Sequence, residues 1–196
     1  FSVAHDVTER KRTEARLRLS SEILGILNDP VALPDAINRI LVAIKREVGF
    51  DAVGIRLRSG DDYPYFLQNG FPKDFVIAEN ALAVHAEDGG ICRDENGNLC
   101  LECTCGLVLS GQTDPASPLF TEGGSFWTND SLPLLDIPPA QDPRLHPRNR
   151  CVHEGYQSVA LCPIRANQEI VGLLQLNDRQ QDQFTLESVQ FFEGIS

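Results

Sequence analysis

The sequence predicts an α+β domain, an antiparallel sheet with helices grouped on one face, and three observations lead there. Two apolar runs at 158–165 and 169–176 are separated only by Ala166-Asn167-Gln168, the pattern of a hairpin. Ile37, Ile40, Leu41, Ile44 and Val48 recur at helical spacing, one buried face of a 3.6-residue period. The element order is helix, helix, strand, strand, a long irregular segment, three strands and a helix, which packs as a sheet with its helices to one side.

Taken in order, Phe1 to Ala4 alternates like the end of a strand. Asp6 then stands where it can cap a helix, with Glu9 three residues on as its capping-box partner. That helix is expected over 8–27. Leu17, Leu24 and Leu27 fall at heptad-compatible spacing, and Leu19, Ile23 and Ile26 form a neighbouring stripe. Asn28-Asp29-Pro30 stops it. A second helix covers 33–48 and Gly49 closes it. Strands follow at 52–57 and 63–68, with a turn at Gly60-Asp61-Asp62 whose two carboxylates read as a solvated tip. Gly70 to Gly124 has poor periodicity and many Gly, Pro, Asn and Asp residues; a loop that long in a compact domain serves a function or moves. A short strand at 126–129 and a Pro-rich passage at 132–147 precede the hairpin. Thr185 caps the last helix, which presents Leu186, Val189 and Ile195.

The 196 residues suit one domain with a short appendage, and 42% apolar residues suffice for one core. No run approaches the roughly 20 apolar residues of a membrane span. The start lacks an initiator Met, a basic n-region and an apolar h-region, so it reads as a cut inside a longer chain. Net charge is −11, of which residues 1–20 carry +2 and the rest −13. Arg10, Lys11, Arg12, Arg16 and Arg18 share their helix with Glu9 and Glu14 and read as a solvated face. Neither nucleic acid nor membrane insertion is expected.

Four of the six cysteines crowd between residues 92 and 105, unlike the dispersed bridges of a secreted scaffold. A cytoplasmic domain with reduced thiols is the reading, and the cluster is a candidate for metal or redox chemistry. Cys92, Cys100, Cys103 and Cys105 are written C-x7-C-x2-C-x-C, with Cys151 and His153 later. Thiolates suit Zn or an iron–sulfur cluster, and a site could combine Cys103 and Cys105 with Cys151 and either Cys92 or Cys100. Cysteine is also a common small buried hydrophobe, and Cys162, inside an apolar strand, is assigned to that role. Covalent haem attachment needs C-x2-C-H, and Thr104 follows Cys103, so that motif fails. His85 and His146 read as surface loop residues. Cys151 and His153 would point the same way on a strand, as a nucleophile and its base. With no third orienting group, no catalysis is expected of this chain. No Gly-rich phosphate cradle is present.

Two passages carry a family resemblance. Asp6-Val7-Thr8-Glu9-Arg10-Lys11-Arg12-Thr13-Glu14 resembles the end of a PAS domain leading into a signalling helix, which assigns residues 1–20 to a PAS exit and linker helix. Residues 21–196 resemble a GAF domain of sensor histidine kinases. That resemblance rests on Gly49-Phe50-Asp51-Ala52-Val53-Gly54-Ile55-Arg56, Glu122-Gly123-Gly124-Ser125-Phe126-Trp127-Thr128-Asn129, Gly155-Tyr156-Gln157-Ser158-Val159-Ala160 and Gly172-Leu173-Leu174-Gln175-Leu176-Asn177-Asp178. It implies a non-catalytic receptor for a small molecule or cofactor in a multidomain signal-transduction protein of the two-component type. Terminal helices would pair in a homodimer and drive a downstream kinase or other output domain in the same chain. The Leu17–Leu27 stripe then packs either on a partner or over the sheet.

The resemblance also sorts the ligands. The Asn-Lys…Phe…Asp-Glu signature of cyclic-nucleotide binders is broken at Asn177-Asp178 and Phe184-Thr185-Leu186-Glu187. Bilin-binding relatives are echoed in Asp136-Ile137-Pro138, but Cys151-Val152-His153 interrupts their contiguous Cys-His. Haem held by a single His or Cys, and an empty dimerising spacer, remain as alternatives. Related GAF domains share Cys-x-Cys-Gly and Asn-Arg-Cys elements, which makes Cys103, Cys105 and Cys151 the working metal set. Cys92 is the fourth candidate, in a Cys-rich insertion at about 85–124.

Overall fold

The computed structural model describes the backbone of residues 2–86 and 89–196, and side chains from Thr13 onward within those spans. Helix α1 spans Ser2–Asn28, so the strand expected at its start is helical and Asp6 lies inside the helix instead of capping it. No Gly or Pro interrupts the chain before Gly25, so nothing stops the helix from propagating back to Ser2. Phe1 and the side chains of Asp6, Glu9, Arg10, Lys11 and Arg12 lie outside the described residues.

Helix α2, Leu33–Val48, starts with Pro34 in its first turn and ends at Gly49, whose φ of 84° lets its N–H reach Lys45 O. Strands β1 (Ala52–Leu57) and β2 (Tyr65–Asn69) form the first hairpin, and β3 is Phe126–Thr128. Strands β4 (Ser158–Ala166) and β5 (Glu169–Asp178) form the second hairpin. Asn167 and Gln168 both have positive φ, as a two-residue primed turn requires. The sheet is antiparallel in the order β2-β1-β5-β4-β3.

Strand alternation divides the interior in two. Val53, Ile55, Ala160, Cys162, Leu174 and Leu176 point to the helical face, against Leu19, Ile23, Leu41 and Ile44 and against Val189 and Phe192 of α6 (Leu186–Ile195). Thr185 and Ser188 form the capping box that starts α6. On α1 the two stripes separate: Leu19, Ile23 and Ile26 are buried, whereas Leu17, Leu24 and Leu27 are 67%, 58% and 58% exposed. The inner stripe covers the core and the outer one meets no described residue of the fold closely enough to be buried. No described helix is long and apolar enough to cross a membrane.

The opposite face is roofed by the aperiodic segment from Gly70 together with the Pro-rich passage and the residues that follow it, up to β4. The roof contains the short helices α3 (Lys73–Glu79), α4 (Cys103–Leu109) and α5 (Arg150–His153) and a 3-10 turn at Leu132–Leu135. Phe71, Phe75, Leu82, Leu101, Val108, Phe126 and Tyr156 make its core with Val159, Leu161 and Leu173 of the sheet. Asp62, expected at a solvated tip, instead accepts backbone N–H bonds from Tyr63, Leu82 and Ala83 and ties the roof to the first hairpin. Asp61 is exposed and pairs with Arg93 at 2.8 Å. Asn129 locks β3 to the start of α6, accepting from Phe184 N–H and donating to Phe184 O, each at 2.8 Å.

Candidate functional site

The polar residues of the sheet gather under this roof. From β1, Arg56 is fully buried; its Nη1 donates to Tyr63 O at 3.0 Å and Asn80 O at 3.2 Å, and its Nη2 to Glu79 O at 2.5 Å. The guanidinium also lies 3.7 Å from the Tyr65 ring centroid, a desolvated cation–π contact. Tyr65 donates its hydroxyl to Gln175 Oε1 at 2.7 Å, and burial pushes that phenol far above its ordinary range. Gln175 Nε2 donates to Asn177 Oδ1 at 3.1 Å and to Cys151 Sγ at 3.5 Å. A polar chain thus runs from a buried cation to a thiol.

The Cys-x-Cys-Gly element builds the roof over it. Cys103 takes a left-handed φ of 60° and sends its N–H to Leu145 O, so α4 begins abruptly beneath the 145–148 segment. Two residues on, Cys105 turns inward and is buried, which raises its thiol strongly. Gly106 follows because α4 rests on the backbone of Leu101, where a Cβ would come within 2.3 Å of Leu101 O. Gly106→Ala must push α4 off its seat. The expected loss is about 3 kcal/mol of unfolding free energy, from overpacking against backbone, read by urea denaturation.

The Arg-Asn-Arg-Cys element supplies the rest. Arg148 bridges Glu79 at 3.3 Å and Glu102 at 3.1 Å, and donates to the carbonyls of Ala78 and Ala81. Its backbone N–H donates to Cys103 Sγ at 3.0 Å. Asn149 adopts the left-handed φ of 51° that short amide side chains tolerate, and its Oδ1 accepts from Arg144. Arg150 pairs with Glu154 at 2.7 Å, and Cys151 turns toward the sheet. Burial pushes the Cys151 thiol up to about 12, with the Asn177 amide opposing it. Burial also raises the Glu79 carboxyl, against the pull of Arg148 and Arg56.

Cys103, Cys105 and Cys151 line one cavity of about 40 Å³, together with Glu79, Asn149 and Arg150. That volume admits a water-sized group. It falls well short of the several hundred Å³ that enclose a drug-sized ligand, so haem or bilin does not fit the chamber in this conformation. Cys92 lies elsewhere, facing Cys100 with 3.3 Å between sulfurs. Among the described residues no three His, Cys, Asp or Glu side chains group as metal ligands do. Cys151 and His153 sit on one helical turn, where residues two apart diverge, so the strand-based pairing of nucleophile and base does not arise. Cys162 lies in the helical-face core and burial lifts it to about 12. His146 is 64% exposed and His85 is exposed. Arg56, Glu79 and Gln175 carry no local signal, because their partners come from residues far along the chain.

Cys103 and Cys151 are both partly exposed and Cys105 is buried; the Cys151 sulfur turns down onto Gln175, whereas the Cys103 sulfur lies beside the Arg148 backbone N–H at the edge of the chamber. Access to solvent and a donor to the sulfur are two conditions under which a cysteine can react.

Solved structures resemble the whole of this architecture. A GAF domain of a phosphoenolpyruvate-protein phosphotransferase from Coxiella burnetii superposes with a TM-score of 0.59 at 16% identity, over 93% of this chain and 88% of that one. The free methionine-R-sulfoxide reductase of Staphylococcus aureus, solved with its substrate, gives 0.57 at 12%, over 92% and 90%. A domain of a protein described as a two-component sensor histidine kinase from Sinorhizobium meliloti gives 0.52 at 12%, over 84% and 85%. No curated protein sequence matches the chain. The GAF domain family model matches residues 32–196, which include the whole sheet and the roof over it, and the chain belongs to the GAF domain family.

Proposed function

We propose that this GAF domain is the regulatory input of a signalling protein, and that its input is read at the thiol chamber, with Cys103 as the reacting group. The observation that carries this reading is the placement of Cys103: its sulfur accepts from the Arg148 N–H and lies 3.7 Å from His146 O, at the edge of the chamber that it lines with Cys105 and Cys151. With a hydroperoxide, the Cys103 sulfur attacks the distal oxygen, the O–O bond breaks, and the thiol becomes a sulfenic acid as an alcohol or water leaves. The added oxygen perturbs the Arg148 contacts to Glu79 and Glu102, and so the seating of α3, α4 and α5. In wild-type protein, one equivalent of hydrogen peroxide is expected to shift Tm by several degrees, reversed by dithiothreitol. With Cys92→Ser and Cys100→Ser in place, an unchanged shift on adding Cys103→Ser contradicts the assignment. Elemental analysis of anaerobically purified protein tests the metal alternative: one equivalent of Zn or Fe, lost in Cys105→Ser, would replace this reading.

A second reading rests on the same thiols. A sulfoxide presented to Cys103 from outside the chamber can be reduced by that thiol and a neighbouring one, yielding a sulfide, a disulfide and water, and one similar structure is a free methionine-R-sulfoxide reductase. Turnover of free methionine-R-sulfoxide with a dithiol reductant, abolished by Cys103→Ser, would make the protein an enzyme.

Output is proposed to leave through the terminal helices, with a sensor histidine kinase as the parent protein and a PAS domain upstream of α1. Leu17, Leu24 and Leu27 keep heptad spacing and are exposed, and next to Leu27 an apolar groove of about 280 Å³ is lined by Leu33, Ile37 and Ile195. A second copy of α1 is the proposed occupant. Leu17→Glu with Leu24→Glu is expected to turn a dimer into a monomer in sedimentation, with stability changed by less than about 1 kcal/mol, as for exposed positions. A wild-type monomer at tens of micromolar contradicts it.

A further inference from the structure

Cys92 and Cys100 stand apart from the chamber, on the stretch of residues 89–101 that runs back along 82–86. Cys92 N–H donates to Val84 O at 2.8 Å, Val84 N–H to Cys100 O at 2.9 Å, and Cys100 N–H to Cys92 O at 3.1 Å. These bonds close a ring of three backbone segments, with the two cysteines directly opposed in the register set by the Arg93–Leu99 bridge. Both side chains are free thiols, both are partly exposed, and their sulfurs are 3.3 Å apart. The hydrogen bond with Cys92 holds the Cys100 thiol above its ordinary value.

The turn between them is held firmly for a surface feature. Asp94 accepts from the backbone N–H groups of Asn96 and Asn98 and from the Asn98 amide. Arg93 donates to Gly97 O at 2.9 Å and pairs with Asp61 at 2.8 Å. The two cysteines share one direct backbone hydrogen bond, Cys100 N–H to Cys92 O, which keeps their chains side by side with the sulfurs facing each other. A sulfur–sulfur bond of about 2.05 Å needs the two sulfurs to close by little more than roughly 1 Å. The pair is organised for bonding before any oxidant arrives.

We propose that Cys92 and Cys100 form a reversible two-electron redox clip, separate from the chamber, whose oxidant is a hydroperoxide. One sulfur attacks the distal peroxide oxygen; the O–O bond breaks, a sulfenic acid forms and an alcohol or water leaves. The second thiol attacks the sulfenic sulfur, the S–O bond breaks, and water departs with the remaining proton. The net change is two thiols and one hydroperoxide to one disulfide, one alcohol and one water. Closing the clip shuts the loop from residue 92 to residue 100 and stiffens the strand that runs through Leu101 and Glu102 into α4.

The test is peptide mapping of the whole protein after a short exposure to hydrogen peroxide and quenching with an alkylating agent. A Cys92–Cys100 linked peptide is expected, two hydrogen masses lighter than the reduced pair and lost after dithiothreitol. The same peptide must form at an unchanged rate in Cys103→Ser, which keeps the clip distinguishable from the chamber, and must be absent in Cys92→Ser. Two alkylated cysteines at 92 and 100 after oxidation, or a bridge from either to Cys103, overturns the proposal.

Discussion

Arg56→Met is expected to lower the unfolding free energy by about 3–5 kcal/mol, the cost of stranding buried polar partners. The guanidinium donates to the carbonyls of Tyr63, Glu79 and Asn80, and all three face the interior around it. Methionine fills much of the volume but satisfies none of them. For a domain of this size the loss corresponds to a fall in Tm of roughly 10 °C. Arg56→Lys is expected to recover only part of it, because an ammonium cannot span three carbonyls or stack flat on Tyr65. Thermal unfolding of the two variants, with equal Tm values for lysine and arginine as the contrary result, checks the claim.

A second large effect is alkaline instability in reducing buffer. Cys151 and Cys162 are pushed up to about 12 by burial, and burial raises Cys105 as well. In the unfolded chain these thiols ionise near 8.5. Between those values the folded protein holds protons that the unfolded chain has released, so stability falls as pH rises. Each thiol contributes on the order of 1 kcal/mol per pH unit across that window, and stability is full below about pH 8. Urea denaturation from pH 7 to 10.5 should show the decline, and Cys162→Ala should remove about a third of its slope. A flat profile to pH 10 contradicts the enclosure of these thiols.

How far the sequence discloses the molecule depends on element length. The helical recurrence of Ile37, Leu41 and Ile44 sits within the 16 residues of α2, and Leu173, Leu174, Gln175 and Leu176 of β5 point alternately to the roof and to the helical face. Both are legible. Helix α4 has 7 residues and α5 has 4, too few for a helical period to repeat, so the roof reads as an irregular loop. The exposed and buried stripes of α1 are separable in sequence, but only the fold shows that Leu19 and Ile23 face the core and Leu24 does not. At the site, the Cys-x-Cys-Gly and Arg-Asn-Arg-Cys elements stand out as thiol carriers. Their coming together over Gln175 depends on a left-handed Cys103 and on Arg148, whose contacts span residues 78 to 103. No local pattern encodes that. Cys92 illustrates the converse: four residues of one kind in one short segment suggest one site, and the fold divides them between two.

The central claim is that Cys103 is the responsive thiol of the chamber, with Cys105 and Cys151 sheltered beneath it. Its most direct measurement is site-resolved trapping of sulfenic acid by mass spectrometry, at substoichiometric hydrogen peroxide, in protein carrying Cys92→Ser and Cys100→Ser to silence the clip. The account predicts that Cys103 is labelled at least about tenfold faster than Cys105, Cys151 or Cys162, following the access of its sulfur to solvent. Labelling of Cys103 no faster than that of the buried Cys162 would contradict it.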